Sequence, residues 1–362
     1  MTFFSILFAL IAEQYRPVTA SHWIRRMSAA WLDWVAKEFG GKSEQGATPV
    51  GARLACLVGF GLPTLLVFVI YLLAYVVSPL LAFAWNIIIV YLFFGFRQFS
   101  HSFTEVHEAI QNHDLLAARK ALQEWVGDEL DTSHLSQSEI IAIALERAIV
   151  GAHRHVFGVF FWFLMPIGPA GVVLYRLADK ASRRWEAFGL NLSEAAKHFF
   201  FILDWVPVRL SAISFAIVGN FEDAIYAWRN LTSKWADPLS AVLLASGSGA
   251  LGVRLGEPLR EPTSDEALAR AEAGEPPVYE IGHEPSERSM RSAIGLVWRA
   301  ALGNWSCVAS PYRLYGGFSD VDHRSLDGLI PWIWISAVFE SETSCLKSAK
   351  RSLAIAPDKT AA

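Results

Sequence analysis

The sequence predicts an all-α, polytopic integral membrane protein with a helical cytoplasmic insert. Three observations carry that expectation. Leu54 to Phe96 are 43 consecutive residues without a charged side chain, bracketed by Arg53 and Arg97. The chain is 53% hydrophobic and only 18% charged, against a soluble average nearer a quarter charged. Its more polar stretch, 97–155, repeats apolar residues at helical spacing and carries helix caps in the right places.

Residues 1–12, MTFFSILFALIA, are apolar but too short to span a bilayer unaided, and no basic segment precedes them as a secretory signal would need. They suit a short anchoring helix or a re-entrant segment, with a cleaved signal as the alternative. Residues 1–53 as a whole form an N-terminal anchor followed by an interfacial amphipathic helix at 21–39, where Trp23, Trp31 and Trp34 mix with Arg25, Arg26 and Lys37. Six Arg or Lys between Arg16 and Arg53 place this end in the cytoplasm by the positive-inside rule.

A bilayer core about 30 Å thick needs roughly 20 apolar helical residues. One helix over 54–96 would be about 65 Å long at ~1.5 Å per residue. Ser78-Pro79 lies near its middle, and the residue before a proline is pushed out of helical geometry. Two spans, about 54–77 and 80–96, joined by a tight turn are therefore expected. A buried core helix of a large soluble domain is the competing reading.

Residues 97–155 read as a soluble insert of three helices. Phe103, Val106 and Ile110 give the first its apolar stripe, ended by Asn112-His113. Asp114 is a good N-cap for the second and Gly127 a good stop. Ser136 and Glu139 form a capping box ahead of the third. Residues 156–256 are expected to be membrane-embedded. The stretch 156–178 is long enough to cross, yet Pro166, Gly168, Pro169 and Gly171 interrupt it. A straight crossing would put Arg176, Lys180, Arg183 and Arg184 opposite Arg53 and Arg97, against the charge rule. A re-entrant hairpin turning at Pro166–Gly171 removes that conflict.

Residues 199–219 are apolar but hold Asp204, Pro207 and Arg209. Charge in such a segment costs about 3 kcal/mol at the bilayer centre, so Asp204 and Arg209 are candidate binding residues. The plainer alternative has Asp204 capping the helix after the proline while Arg209 snorkels. Gly247, Gly249 and Gly252 match Gly-x-Gly-x-x-Gly only nominally, with no strand before them, so close packing or a tight turn explains them better than dinucleotide binding. Residues 257–292, rich in Glu and Pro, read as a flexible loop, and 293–362 as a divergent C-terminal segment without a sustained period over 303 onward.

Other chemistry is thinly signalled. A net charge of −4 argues against nucleic acid. Three separated cysteines, Cys56, Cys307 and Cys345, give neither a disulfide framework nor a metal clip. His153 and His155 are two apart and fall on different faces of a helix, and no His, Asp or Glu set has metal-ligand spacing. Arg97, His101, Glu105 and Glu108 fall on one helical stripe at the water boundary and are candidate binding residues, although most such stripes are solvated faces. No Gly-Lys-Ser/Thr phosphate loop and no Gly-x-Ser-x-Gly elbow is present.

RQFSH (97–101), HDLLAAR (113–119), Val126-Gly127, LDWVPVRL (203–210) and GALGVRLGEP (249–258) together resemble the CobD/CbiB family, and LDWVPVRL, FWF, GPAG and LYRL (161–177) also resemble AmpE. The first are membrane enzymes that join an aminopropanol phosphate to adenosylcobyric acid with ATP; AmpE is a related inner-membrane protein linked to β-lactamase regulation. The resemblance covers about residues 1–258 and implies a multi-pass protein of the bacterial inner membrane whose partners are the lipid bilayer and a corrinoid or other small ligand. Departures bear on activity. Where synthase members carry Glu-Asn-x-x-Asp this chain has Val150, Gly151 and Arg154; where they carry Thr-Leu-Asp-Ser-Met it has RLADKAS (176–182); and Glu257 replaces a glycine. Arg154 and Lys180 in place of acids would repel Mg²⁺ rather than attract it. The resemblance with these departures implies an accessory or regulatory protein in the AmpE manner. Its alternative is a divergent adenosylcobinamide-phosphate synthase, an amide ligase using ATP and Mg²⁺, and a structural scaffold stands third.

Overall fold

A computed structural model describes residues 21–40, 48–94, 96–127, 130–256 and 282–314, together with positions 4–6, 8, 9 and 12. Among the described residues the architecture is all-helical, and the nearest thing to a strand is a single parallel bridge between Val253 and His283. The chain forms two compact units, Met1–Ser310 and Pro311–Ala362; of the second, residues 311–314 are described, as helix.

Helix α1, Ser21–Phe39, occupies the expected interfacial segment and buries Leu32, Val35 and Ala36. Helix α2 runs Pro49–Val77, starting five residues ahead of the uncharged stretch because Thr48 caps it by accepting from Gly51 N at 3.1 Å. It contains a π-turn at Leu57–Gly61, where Gly59 lies under the Trp185 ring and Phe60 stacks on it. At Ser78 the backbone turns extended (φ −163°, ψ 131°), and the Ser78 hydroxyl accepts from Leu80 N to start α3, Pro79–Phe93. The break lies where the proline demands it. The second helix stops three residues short of 96, since Phe94 is extended. The two helices pack on each other and leave Leu66, Leu73, Val76, Val77 and Leu80 exposed.

The three helices of the polar stretch are present: α4 (Phe96–Gln111), α5 (Leu115–Val126) and α6 (Gln137–Ala152). Asp114 accepts from Ala117 N, Gly127 adopts φ 77° as the stop, and Ser136 and Glu139 close the capping box. A second π-turn, His153–Phe157, leads from α6 into α7 (Gly158–Leu164). The chain then turns between Met165 and Gly168, whose φ of 53° suits glycine, and α8 (Pro169–Arg184) returns alongside α7. Helix α9, Leu190–Val218, is the hub, packed on α8, on the first turns of α2 and on α11 (Pro238–Leu251). Between α9 and α11 lies α10, Phe221–Asn230. Close packing accounts for the glycine motif. A Cβ on Gly249 would meet Asp223 O at 2.3 Å, and Gly252 ends α11 in the left-handed region.

Two helices, α2 and α9, are long and apolar enough to cross a membrane; α3 and α11 are apolar but shorter. The last helix, α12, spans Glu287–Leu314, which corrects two expectations: the loop read over 257–292 is already helical at Glu287, and 303–314 continue that helix. Met290, Ala293, Leu296, Val297 and Ala300 lie in the core at three- and four-residue spacing. That stripe outweighs the acidic, proline-containing approach to it. The remainder of the expected loop, 257–281, and the tail 315–362 lie outside the described residues, as do positions 13–20 and Cys345.

Candidate functional site

Two polar clusters meet where the second π-turn faces α8 and α9. The first is buried. His153 Nε2 lies 2.8 Å from Asp204 Oδ1, and His153 Nδ1 lies 2.8 Å from Ser211 Oγ. Tyr175 donates its hydroxyl to the same Asp204 oxygen at 2.9 Å. Asp204 and Ser211 are seven residues apart, two turns along one face of α9, so one helix presents both groups to His153. Tyr175 comes from α8 and His153 from the π-turn. Every group is satisfied when Nε2 donates to Asp204 and Nδ1 accepts from Ser211. Gly158 makes room for the tyrosine, since a Cβ there would sit 2.3 Å from its hydroxyl oxygen.

Serine, histidine and aspartate stand in the order of a hydrolase triad. Burial excludes that chemistry. Ser211 and Asp204 are each 1% exposed and His153 is 0% exposed, so no substrate carbonyl reaches the serine. The network is a polar cross-link between three helical segments, and leaving any member unpaired would be costly.

The second cluster is reachable from solvent. Asp179 on α8 is buried and faces three guanidiniums: Arg183 Nη2 at 2.6 Å, Arg176 Nη1 at 3.4 Å and Arg154 Nε at 3.7 Å. Arg154 also lies 3.9 Å from Asp237, the N-cap of α11, and over the Phe200 ring. Side-chain exposure is 58% for Arg183 and 19% for Arg154 and Arg176. The charge inversion expected from Arg154 is thus offset by Asp179 and Asp237. Lys180 hydrogen-bonds Ser28 of α1 at 2.8 Å. Next to it, Arg184 binds Asp33 of α1 through both carboxylate oxygens, and this hydrogen bonding holds the Asp33 carboxyl below its ordinary range.

The candidates read from sequence divide. Asp204 is central to the buried network, so it is neither a helix cap nor a free charge. Arg209 turns away from it, bonding Trp205 O at 2.9 Å and stacking 3.8 Å above the Trp205 ring. His101 and Glu105 are exposed and face each other at 3.6 Å, one turn apart on α4. Glu108 shares that helix, and the Arg97 side chain lies outside the described residues. The structure therefore joins none of His101, Glu105 or Arg209 to Asp204. His153, Tyr175, Asp179 and Arg176 were not singled out as site residues. The signal for them was a set of polar side chains inside otherwise apolar segments.

The fit of Mg²⁺ can be judged from the donors. Among the described residues no three His, Cys, Asp or Glu side chains come together to hold a metal ion, and the one buried carboxylate of the second cluster is ringed by arginines. That donor set does not suit a divalent cation.

The family described as CobD/Cbib protein matches residues 6–261. Cobalamin biosynthesis protein CobD of Stutzerimonas stutzeri is 31% identical over 295 residues, covering 79% of this chain and 88% of that protein. The protein of the same name from Chromobacterium violaceum is 29% identical over 235 residues, covering 64% of this chain and 70% of its own length. That of Leptospira interrogans is 26% identical over 229 residues, covering 59% and 68%. No solved structure matches the chain.

Proposed function

This chain belongs to the CobD/CbiB family, and from that premise we propose that it is a multi-pass membrane protein of cobalamin biosynthesis, acting as a divergent amide ligase on a corrinoid. The observation that carries the reading is the extent of the kinship. A relative named for cobalamin biosynthesis aligns with 79% of the chain, and the family match spans both polar clusters. The same names weigh against the regulatory, AmpE-like reading that the departures at 150–154 and 176–182 suggest. ATP and the aminopropanol phosphate are substrates in this reading.

The membrane placement rests on the α2–α3 hairpin, whose exposed face from Leu54 onward carries no charged side chain. Helix α9 is the further candidate span, with Ile202, Ile213 and Ile217 exposed on it. The cytoplasmic side carries α1 and the insert α4–α6. Hydrogen bonds from Lys180 and Arg184 to α1 support a re-entrant α7–α8, because they keep the basic end of α8 beside the basic N-terminal segment.

Rescue of a cobalamin-auxotrophic strain lacking its synthase tests the activity. Growth on the cobyric acid precursor with this chain, and none with empty vector, is the expected result. Failure of a well-expressed, membrane-inserted protein would overturn the ligase reading, and altered β-lactamase induction on deletion would then favour the regulator.

A further inference from the structure

We propose that Arg154, Arg176 and Arg183 form a binding site for a phosphate group, with Asp179 as the internal counter-ion that holds the guanidiniums together. Arginine recognises phosphate through paired N–H donors, and the strength of such contacts depends on how many donors remain uncommitted. Arg154 is about four-fifths buried, yet its nearest carboxylate contacts, at 3.7 Å and 3.9 Å, are too long for hydrogen bonds. Arg176 makes only two contacts of 3.4 Å, to Asp179 and to Arg154 O. Asp179 Oδ1 lies 3.7 Å from Arg154 Nε without a hydrogen bond, so the carboxylate balances this guanidinium by charge while leaving its N–H donors uncommitted. A cluster closed for structural reasons alone would have drawn these groups into short contact, because half-satisfied buried charge is costly.

Access and local backbone agree with a site. Arg183 is more than half exposed, so a ligand can approach. Arg154 projects from a π-turn, and π-turns within helices are frequent at functional positions. Asp204 lies near the cluster but is committed to His153 and Tyr175, which leaves Asp179 and Asp237 as the carboxylates facing the three arginines. A phosphate carrying up to two negative charges supplies the acceptors that the cluster lacks. The site deepens the ligase reading, two of whose substrates carry phosphate, but it is tested by binding alone, so a failed rescue leaves it standing.

The full-length protein is purified in detergent and titrated with inorganic pyrophosphate by equilibrium dialysis; in parallel it is placed in nanodiscs with and without phosphatidic acid and its lipid binding measured. Saturable pyrophosphate binding supports the site with a soluble phosphoester as ligand. Binding confined to phosphatidic acid supports it with a lipid headgroup. Arg154→Gln and Arg176→Gln should each weaken the active probe about tenfold or more, whereas Arg291→Gln, an exposed change on α12, should not. If either cluster variant fails to fold, Arg183→Gln, at the exposed edge, carries the same test. Binding of neither probe, or binding unchanged in the arginine variants, overturns the proposal.

Discussion

Replacing Asp204 separates hydrogen bonding from charge at the buried network. Both donors, His153 Nε2 and Tyr175 Oη, converge on one carboxylate oxygen, Oδ1. Asp204→Ala strands both, at roughly 1–3 kcal/mol for each buried unsatisfied group, and it also opens a small cavity. A total of about 3–5 kcal/mol follows, matching the usual cost of breaking a buried pair. Asp204→Asn keeps the volume and an acceptor oxygen at the same place. It weakens two charge-assisted bonds to neutral ones, for about 1–2 kcal/mol in all. At roughly 2–4 °C per kcal/mol for a domain of 150–250 residues, alanine should lower the unfolding midpoint by about 6–20 °C and asparagine by only a few degrees. The assay is thermal unfolding of detergent-solubilised protein at one fixed scan rate, because such transitions are often irreversible. Equal midpoints for the two variants would refute the shared-acceptor argument. A wild-type midpoint for Asp204→Ala would show that the network contributes nothing to stability.

Other consequences are equally concrete. Gly158→Ala places a methyl 2.3–2.6 Å from the Tyr175 hydroxyl and ring; it should cost about 1–3 kcal/mol by overpacking, and less when introduced into a Tyr175→Leu background, where the obstructing ring is gone. Thermal unfolding reads both, and a fully stable single variant would mean that the ring can move aside freely. Gly249→Val should be worse, because the obstacle is the Asp223 carbonyl in the backbone of α10 rather than a side chain; wild-type expression and stability would contradict it. The Asp33 carboxyl titrates below its ordinary value of 3.8 because Arg184 hydrogen-bonds it. Its stabilising contribution is therefore present above that value and fades as pH falls through the lower, folded one. Protection factors in α1, corrected for the intrinsic pH dependence of amide exchange, should fall in that acid range and lose this extra pH dependence in Arg184→Gln; unchanged wild-type protection there would refute it.

Local chemistry was legible, and long-range chemistry was not. The break at Ser78, the Asp114 cap, the Gly127 stop and the Ser136–Glu139 box are each decided within four residues, so the sequence shows them directly. His153 meets partners 51 and 58 residues away, and the π-turn that aims it shifts the helical phase on which a face assignment depends. Treating His153 and His155 as two points on an ideal helix could not locate Asp204 or Ser211. One signal was available: a serine two turns after an aspartate on an otherwise apolar helix asks for a polar partner opposite. The start of α12 was missed differently. Composition over 257–292 outweighed the Met290, Ala293, Leu296, Val297 spacing that the structure uses.

Arg154 shows why a substituted motif does not by itself decide activity. Read alone, arginine in place of an acid repels a cation and points to lost ligation chemistry. In the fold it stands between Asp179 and Asp237, with Arg176 and Arg183 sharing the first of these. The local balance is one of guanidiniums against carboxylates, and an acid restored at 154 would set a third carboxylate beside two others. Arg154→Glu should therefore lower the thermal unfolding midpoint, and less so when Asp179→Asn accompanies it; an unchanged midpoint in the single variant would refute the argument. Charge at such a cluster is a property of the set, because each member fixes what its neighbours can be.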